Sequence, residues 1–412
     1  MKRTAFLLLL GMVLGPLGCT MAPKYERPDP PAPAAWPTGA AYAQAPAATG
    51  VPEPADLSWQ QYFSDPKLQQ VIALALANNR DLRLATLNVE RARAIYGIQR
   101  AELWPSANAA GSANVQRVPA DLSSSGKRQT VERYGVDLGI TSWELDLFGR
   151  IRSLKARALE EYLASEQARR GAQILLVSSV ANTYLALAAD RENLALSETT
   201  LQTHQAAYDL IQRRHELGLV TDLDLYQAQT PLEVARRDVA VYRQRVARDE
   251  NALNLLVGSP APGEFLPANL SSLPEPAEIG AGVPSAVLLR RPDVLQAESM
   301  LKAAYADLGA ARAAFFPRIS LTAALGTASS DLAGLFKSGS GTWMFAPQIV
   351  MPIFDARTWS AHKAAKVQRE MAVTQYEKAI QTAFSEVADA LAVRGTVDQE
   401  IAAQQSLVKA FA

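Results

Sequence analysis

Few residues in this sequence are equipped for covalent or metal chemistry. It holds one cysteine, Cys19, and three histidines, His204, His215 and His362. Zinc sites draw three or four ligands from His, Cys and carboxylate side chains. His204 and His215 stand about three helical turns apart on one helical stretch, too far to share an ion. The acidic pairs Glu160-Glu161 and Asp222/Asp224 fall in stretches that read as helix or turn. Isolated carboxylates there are solvated faces more often than acid–base partners. The Gly339/Gly341 stretch lacks the Lys-Ser/Thr ending of a phosphate loop, and a strand follows it rather than a helix. The reading is therefore no catalytic residue, no metal, no cofactor and no enzyme. Only Cys19 is placed for a covalent step. Lys2 and Arg3 precede an apolar run from Ala5 to Leu17, the layout of a secretory signal too short to span a membrane. It ends Leu17-Gly18-Cys19, like a bacterial lipobox, in which cleavage before the cysteine leaves a thiol for thioether linkage to lipid. Thr20 in place of Asp resembles outer-membrane sorting.

The elements that must position such a chain are legible in its patterning. Basic and acidic residues balance at 41 each, so no global field draws the protein to nucleic acid. From Ala22 to Pro54 the composition shifts to Pro and Ala, which reads as an extended tether because proline fixes φ and lacks a donor. No apolar run of roughly 18 residues follows the signal, so a membrane-spanning body must span with strands.

The body reads as two copies of one pattern. A shift of 212 positions aligns Asp81, Ala85, Gly97, Arg100, Ala101 and Pro105 with Asp293, Ala297, Gly309, Arg312, Ala313 and Pro317, the signature of a duplication. Leu82, Ala85, Val89, Ala92 and Tyr96 form a heptad seam in the first copy; Val294, Ala297, Leu301, Ala304, Leu308, Ala311 and Phe315 form it in the second. Each helix runs into proline, and the period then becomes two. Tyr134, Val136, Leu138 and Ile140 alternate with Gly135, Asp137, Gly139 and Thr141; Ile319, Leu321, Ala323 and Leu325 alternate with Ser320, Thr322, Ala324 and Gly326. Such strands suit a wall between lipid and a wet lumen, although a soluble sheet with one buried face gives the same alternation. Trp143, Trp343 and Phe345 read as membrane-girdle or strand-packing residues. Polar loops are expected over Arg117–Thr130 and Thr327–Gly341. Arg290-Arg291, before Pro292, reads as a surface or inter-protomer contact.

From Arg150 to Gly218 the only breaker is Gly171, which predicts a rod of around 100 Å. The chain then reverses at Leu217-Gly218-Leu219-Val220-Thr221-Asp222 and returns along a helix stopped by Gly258-Ser259-Pro260. Four strands cannot close a barrel, and an open edge in lipid would leave hydrogen bonds unmade. A membrane reading therefore requires oligomerisation, and three chains would supply a twelve-stranded barrel. The organisation expected is a signal peptide (1–18), a lipidated Pro/Ala-rich tether (19–64), a first repeat (65–257), a periplasmic linker (258–286) and a second repeat (287–412). The offset between copies predicts that about 50 residues of the second repeat, including its turn and returning helix, fall beyond Ala412.

Several segments resemble the TolC-like outer membrane factors, in particular the OprM-type lipoproteins of resistance-nodulation-division (RND) multidrug pumps. They are Pro16-Leu-Gly-Cys19, Asn79-Arg-Asp-Leu82, Ser142-Trp-Glu-Leu-Asp-Leu-Phe-Gly-Arg150, Leu289-Arg-Arg-Pro-Asp293, Gly309-Ala-Ala-Arg-Ala-Ala-Phe-Phe-Pro317 and Tyr376-Glu-Lys-Ala-Ile-Gln381. The resemblance covers Cys19 to about residue 409. It implies an α+β membrane protein: a homotrimeric outer-membrane β-barrel, four strands per chain, continuous with a long periplasmic α-helical coiled-coil barrel. It implies a passive exit duct for drugs or other small toxic compounds, energised by an inner-membrane RND pump joined through a periplasmic adaptor protein. It also implies that Leu217, Gly218 and Leu219 dock the adaptor, and that Asp224 occupies an acidic position of the periplasmic gate, with Asp222 substituting if the register slips by two. A protein-secretion duct of the same architecture and a periplasmic coiled-coil scaffold lipoprotein are the alternatives.

Overall fold

The computed structural model describes residues 20–42, 57–277 and 285–411. The signal segment and Cys19 lie outside the described residues. The chain forms two compact units. The first contains the described part of Met1–Pro30 with Glu90–Ala164 and Gln296–Ala379; the second contains the described parts of Pro31–Val89, Ser165–Leu295 and Ile380–Ala412. The elements run α1 (Trp59–Tyr62), α2 (Pro66–Asn78), α3 (Arg80–Ala101), β1 (Ala107–Val118), β2 (Gln129–Leu145), α4 (Arg150–Glu216), α5 (Asp222–Val257), α6 (Pro292–Ala313), β3 (Arg318–Ser329), β4 (Gly341–Val350) and α7 (Ala356–Phe411). The order α3-β1-β2-α4 thus recurs as α6-β3-β4-α7.

The first unit holds one antiparallel sheet in the order β1-β2-β3-β4. Its register sorts side chains by polarity, because directly paired residues share a face. Ala109, Leu138, Leu325 and Trp343 fall in one cross-strand row, and Ala107, Ile140, Ala323 and Phe345 in the next. The opposite face carries rows such as Asn108, Gly139, Ala324 and Met344, and Ala110, Asp137, Gly326 and Thr342. Leu138, Leu325, Trp343 and Phe345 are exposed, so the apolar face has no cover among the described residues. Close strand approach explains the glycines opposite it: a Cβ on Gly139 would lie 2.7 Å from that of Ala324.

The base of the sheet is tied by charge. After a register shift between Ile140 and Trp143, with Ser142 at φ 55°, Glu144 receives Arg150 Nη2 at 2.7 Å and Arg318 Nη2 at 2.7 Å. Asp146 Oδ2 accepts the Arg152 backbone N–H at 2.9 Å. Phe148 stacks on Phe316 with ring centroids 4.8 Å apart. The Trp-Glu-Leu-Asp-Leu-Phe-Gly-Arg segment is therefore the clasp that turns β2 into α4. Higher on the helices, Arg157 bridges Asp307 at 2.8 Å.

The second unit packs α2 against α4 and α5 through Val71, Ile72, Val180, Tyr184, Leu187, Leu253 and Val257, all fully buried. Asn79 separates α2 from α3 while joining them to α5: its Oδ1 caps the Leu82 N–H at 2.9 Å and its Nδ2 donates to the Leu256 carbonyl at 2.8 Å. Gly258 ends α5 in the left-handed region at φ 78°, where another residue costs about 1–2 kcal/mol. A Cβ there would also lie 2.6 Å from the Asn78 carbonyl oxygen.

Two expectations need correction, on the loops and on the tether. The polar loops are shorter than expected, since Arg117 pairs with Thr130, Val118 with Gln129 and Thr327 with Gly341; backbone pairing continues past the end of the apolar alternation because it does not depend on side-chain polarity. The surface reading of Arg290-Arg291 fits Arg291, which is partly exposed and reaches Asp293 at 2.8 Å and Glu386 at 2.6 Å. Residues 20–30 are not a free tether. Tyr25 and Arg27 pack on α6 (below), and in the second unit Trp36 stacks on Phe384 at 4.9 Å. The returning helix read as ending at Gly258 is present as α5, and it runs through Pro231 unbroken, the burial of Leu232, Ala235 and Val239 outweighing one lost backbone bond.

Candidate functional site

The turn between α4 and α5 is built by two caps. Gly218 adopts φ +68°. Its N–H donates to the His215 carbonyl at 2.8 Å, and the Leu219 N–H donates to the Arg214 carbonyl at 2.9 Å. This bond pair is a Schellman closure, which requires a residue at ease with positive φ. Nothing lies within 4 Å of where a Gly218 Cβ would project. Leu217 and Leu219 are 74% and 64% exposed, and Leu223 and Tyr226 on the first turns of α5 are exposed as well. The tip therefore presents apolar side chains to water around a bare glycine, a small contact surface without a partner among the described residues.

Both acidic residues beside it are engaged. Thr221 caps α5, its Oγ1 accepting from the Asp224 N–H at 3.3 Å. Asp224 Oδ2 reciprocates by accepting from the Thr221 N–H at 2.8 Å and hydroxyl at 2.7 Å. The backbone bond first, and then the hydroxyl bond, hold the Asp224 carboxyl below its ordinary range. This is a capping box with Asp in the reciprocating position, and the Thr-x-x-Asp spacing was its signal in the sequence. Asp222 Oδ1 meets His215 Nε2 at 2.6 Å. The turn thus brings Leu217, Gly218, Leu219, Asp222 and Asp224 together, each carboxylate committed to local structure. His362 packs edge-on to Phe315. Among the described residues, no three His, Cys, Asp or Glu are grouped to hold a metal.

The second candidate feature is the two-faced sheet: apolar Leu, Ile, Trp and Phe rows on one side, Gly, Asn, Asp and Thr rows on the other. Its geometry fits a wall between hydrocarbon and water.

The sequence profile of the outer membrane efflux proteins matches residues 71–259 and 283–412. The chain belongs to that family. The antibiotic efflux pump outer membrane protein ArpC of Pseudomonas putida is 47% identical over 410 residues, covering 99% of this chain and 84% of that protein. The toluene efflux pump outer membrane protein TtgC of Pseudomonas putida matches at the same 47% identity and coverage. Among solved structures, the open state of the Neisseria gonorrhoeae MtrE outer membrane channel superposes with a TM-score of 0.84 at 36% identity, covering 95% of this chain and 86% of that one. The protein is thus an outer-membrane component of an efflux system, with the helix-and-strand fold of outer-membrane efflux channels. The outer membrane efflux proteins are a transport family and not an enzyme family.

Proposed function

We propose that three copies of this chain form the exit duct of a tripartite RND-type efflux pump. The observation that carries this reading is the open four-stranded sheet with one apolar and one polar face. Its edge strands, β1 and β4, have no second neighbour among the described residues, and lipid does not tolerate unpaired edges. Pairing β4 of one copy with β1 of the next closes a twelve-stranded barrel, and the long helices close with it as a continuous α-helical tube. The duct itself is passive, with no catalytic step. An inner-membrane RND pump supplies the energy and a periplasmic adaptor, docked on Leu217, Gly218 and Leu219, makes the joint. The cargo is drugs or other small toxic compounds, in keeping with the antibiotic and toluene pumps named for ArpC and TtgC. Asp224 and Asp222 stand at the periplasmic constriction.

The purified protein in planar lipid bilayers is expected to give discrete, ATP-independent conductance steps. Its mass in detergent should be that of a trimer. A detergent-free soluble coiled coil with no conductance would refute the duct.

Cys19 is the proposed lipid anchor. One acyl chain binds a membrane only marginally, whereas several hold firmly. Cys19→Ala is expected to abolish radiolabelled palmitate incorporation while the strands still retain the protein in the membrane. Undiminished labelling of that variant would remove Cys19 from the reading.

A further inference from the structure

We propose that α6 carries a docking groove for the chain's own residues Ala22–Arg27, keyed by the buried carboxylate of Glu298 and given its depth by Gly309. Glu298 is 3% exposed, and a buried carboxylate is strongly unfavourable without partners. Most of its partners come from the N-terminal segment. Arg27 Nη2 reaches Oε1 at 2.9 Å and Oε2 at 2.8 Å, Arg27 Nε reaches Oε1 at 3.2 Å, and the Tyr25 hydroxyl donates to Oε1 at 3.0 Å. From its own helix it has Lys302, at 3.2 Å. Burial would raise the Glu298 carboxyl, but the bonds from Arg27, Lys302 and Tyr25 hold it below its ordinary range. The Tyr25 ring is fixed independently: it meets Tyr305 edge-on with centroids 5.5 Å apart, and Lys302 Nζ lies 5.2 Å above it. Other groups near the site are Glu160 of α4, hydrogen-bonded to Ser299, and Tyr376 of α7. Neither can replace the arginine's charge.

Gly309 makes room for the backbone. A Cβ there would lie 2.6 Å from the Ala22 Cα and 2.7 Å from its Cβ, so any side chain must push the segment away. The duplication supplies an internal control. Gly97 is the matching position in the first copy, and nothing lies within 4 Å of its would-be Cβ; Thr86 stands where the second copy has Glu298. The same helix therefore occurs twice, and only the copy with both carboxylate and glycine approach carries a strap. The ligand class is a short cationic–aromatic segment, Tyr-x-Arg, belonging to this chain. Docking places Ala22 against Gly309 on the last turns of α6, just before β3 starts. The groove does not rest on the Cys19 reading.

The test is limited trypsin digestion of the full chain in detergent, reading cleavage after Lys24, since Pro28 blocks cleavage after Arg27, against cleavage after the exposed loop residue Lys337. Glu298→Gln and Gly309→Leu are each expected to raise strap cleavage about tenfold or more by increasing the population of the released state. Gly97→Leu should leave it unchanged. If Glu298→Gln fails to fold, Gly309→Leu, which keeps the carboxylate, decides. An increase confined to Gly309→Leu would overturn Glu298 as the key. No increase in either, or an equal increase in Gly97→Leu, would overturn the groove. Palmitate labelling of the same variants reports separately on Cys19.

Discussion

Gly218→Trp is expected to abolish drug resistance conferred by this protein while leaving trimer yield and surface exposure intact. The tip proposed to dock the adaptor has exposed leucines on either side of a residue with no side chain. A large ring at its centre holds a partner's tip away from both leucines. Losing a central, desolvated contact of that kind typically costs 2 kcal/mol or more, about thirtyfold in affinity. The fold has no reason to fail, since space is open where the side chain would project. Strain is the rival explanation, because φ +68° disfavours any β-carbon. Gly218→Asn separates the two. Asparagine tolerates the left-handed region and keeps the closure, yet it still fills the gap between Leu217 and Leu219. Loss of resistance in both variants, at matched expression, would assign the defect to docking. Wild-type resistance from Gly218→Trp would show that the turn is only a turn.

Long, strongly periodic elements were the legible ones. The seam Leu82, Ala85, Val89, Ala92, Tyr96 is half-buried along α3 while the rest of that helix is mostly exposed, because a heptad stripe reports one face. The 67-residue α4 follows from the absence of breakers, and the alternation around Leu138 and Leu325 follows from a sheet with two different solvents. Features resting on one residue meeting a distant one were not legible. Nothing near Arg27 announces that Glu298, 271 positions away, is its partner, and a proline-rich composition argued for a loose tether instead. The capping box was readable from Thr221 and Asp224 alone, but an acidic residue near a proposed gate draws a functional reading first.

That overlap makes Asp224 the sharper case. Asp224→Ala is expected to reduce the cation preference of the conductance, because three symmetry-related carboxylates at a constriction favour cations. The same substitution also removes the acceptor of the Thr221 N–H and hydroxyl, so a changed conductance by itself does not separate charge from fraying of α5. Three further variants do. Asp224→Asn removes the charge and keeps an oxygen for Thr221, so cation preference should fall with little change in hydrogen exchange over the first turn of α5. Thr221→Ala keeps the charge and breaks the cap, so exchange should rise while cation preference holds. If selectivity instead follows the cap and survives Asp224→Asn, the carboxylate is a structural cap and not a gate. A loss seen only in Asp222→Asn would assign the ring to Asp222, released from His215. Acidity gives an independent reading. The bonds from Thr221 depress the Asp224 carboxyl, so its charge persists on acidification through the ordinary aspartate range near about 3.9. It is lost only as pH falls through the lower folded-state value. Cation preference carried by Asp224 should therefore persist to lower pH than preference carried by carboxylates of ordinary acidity.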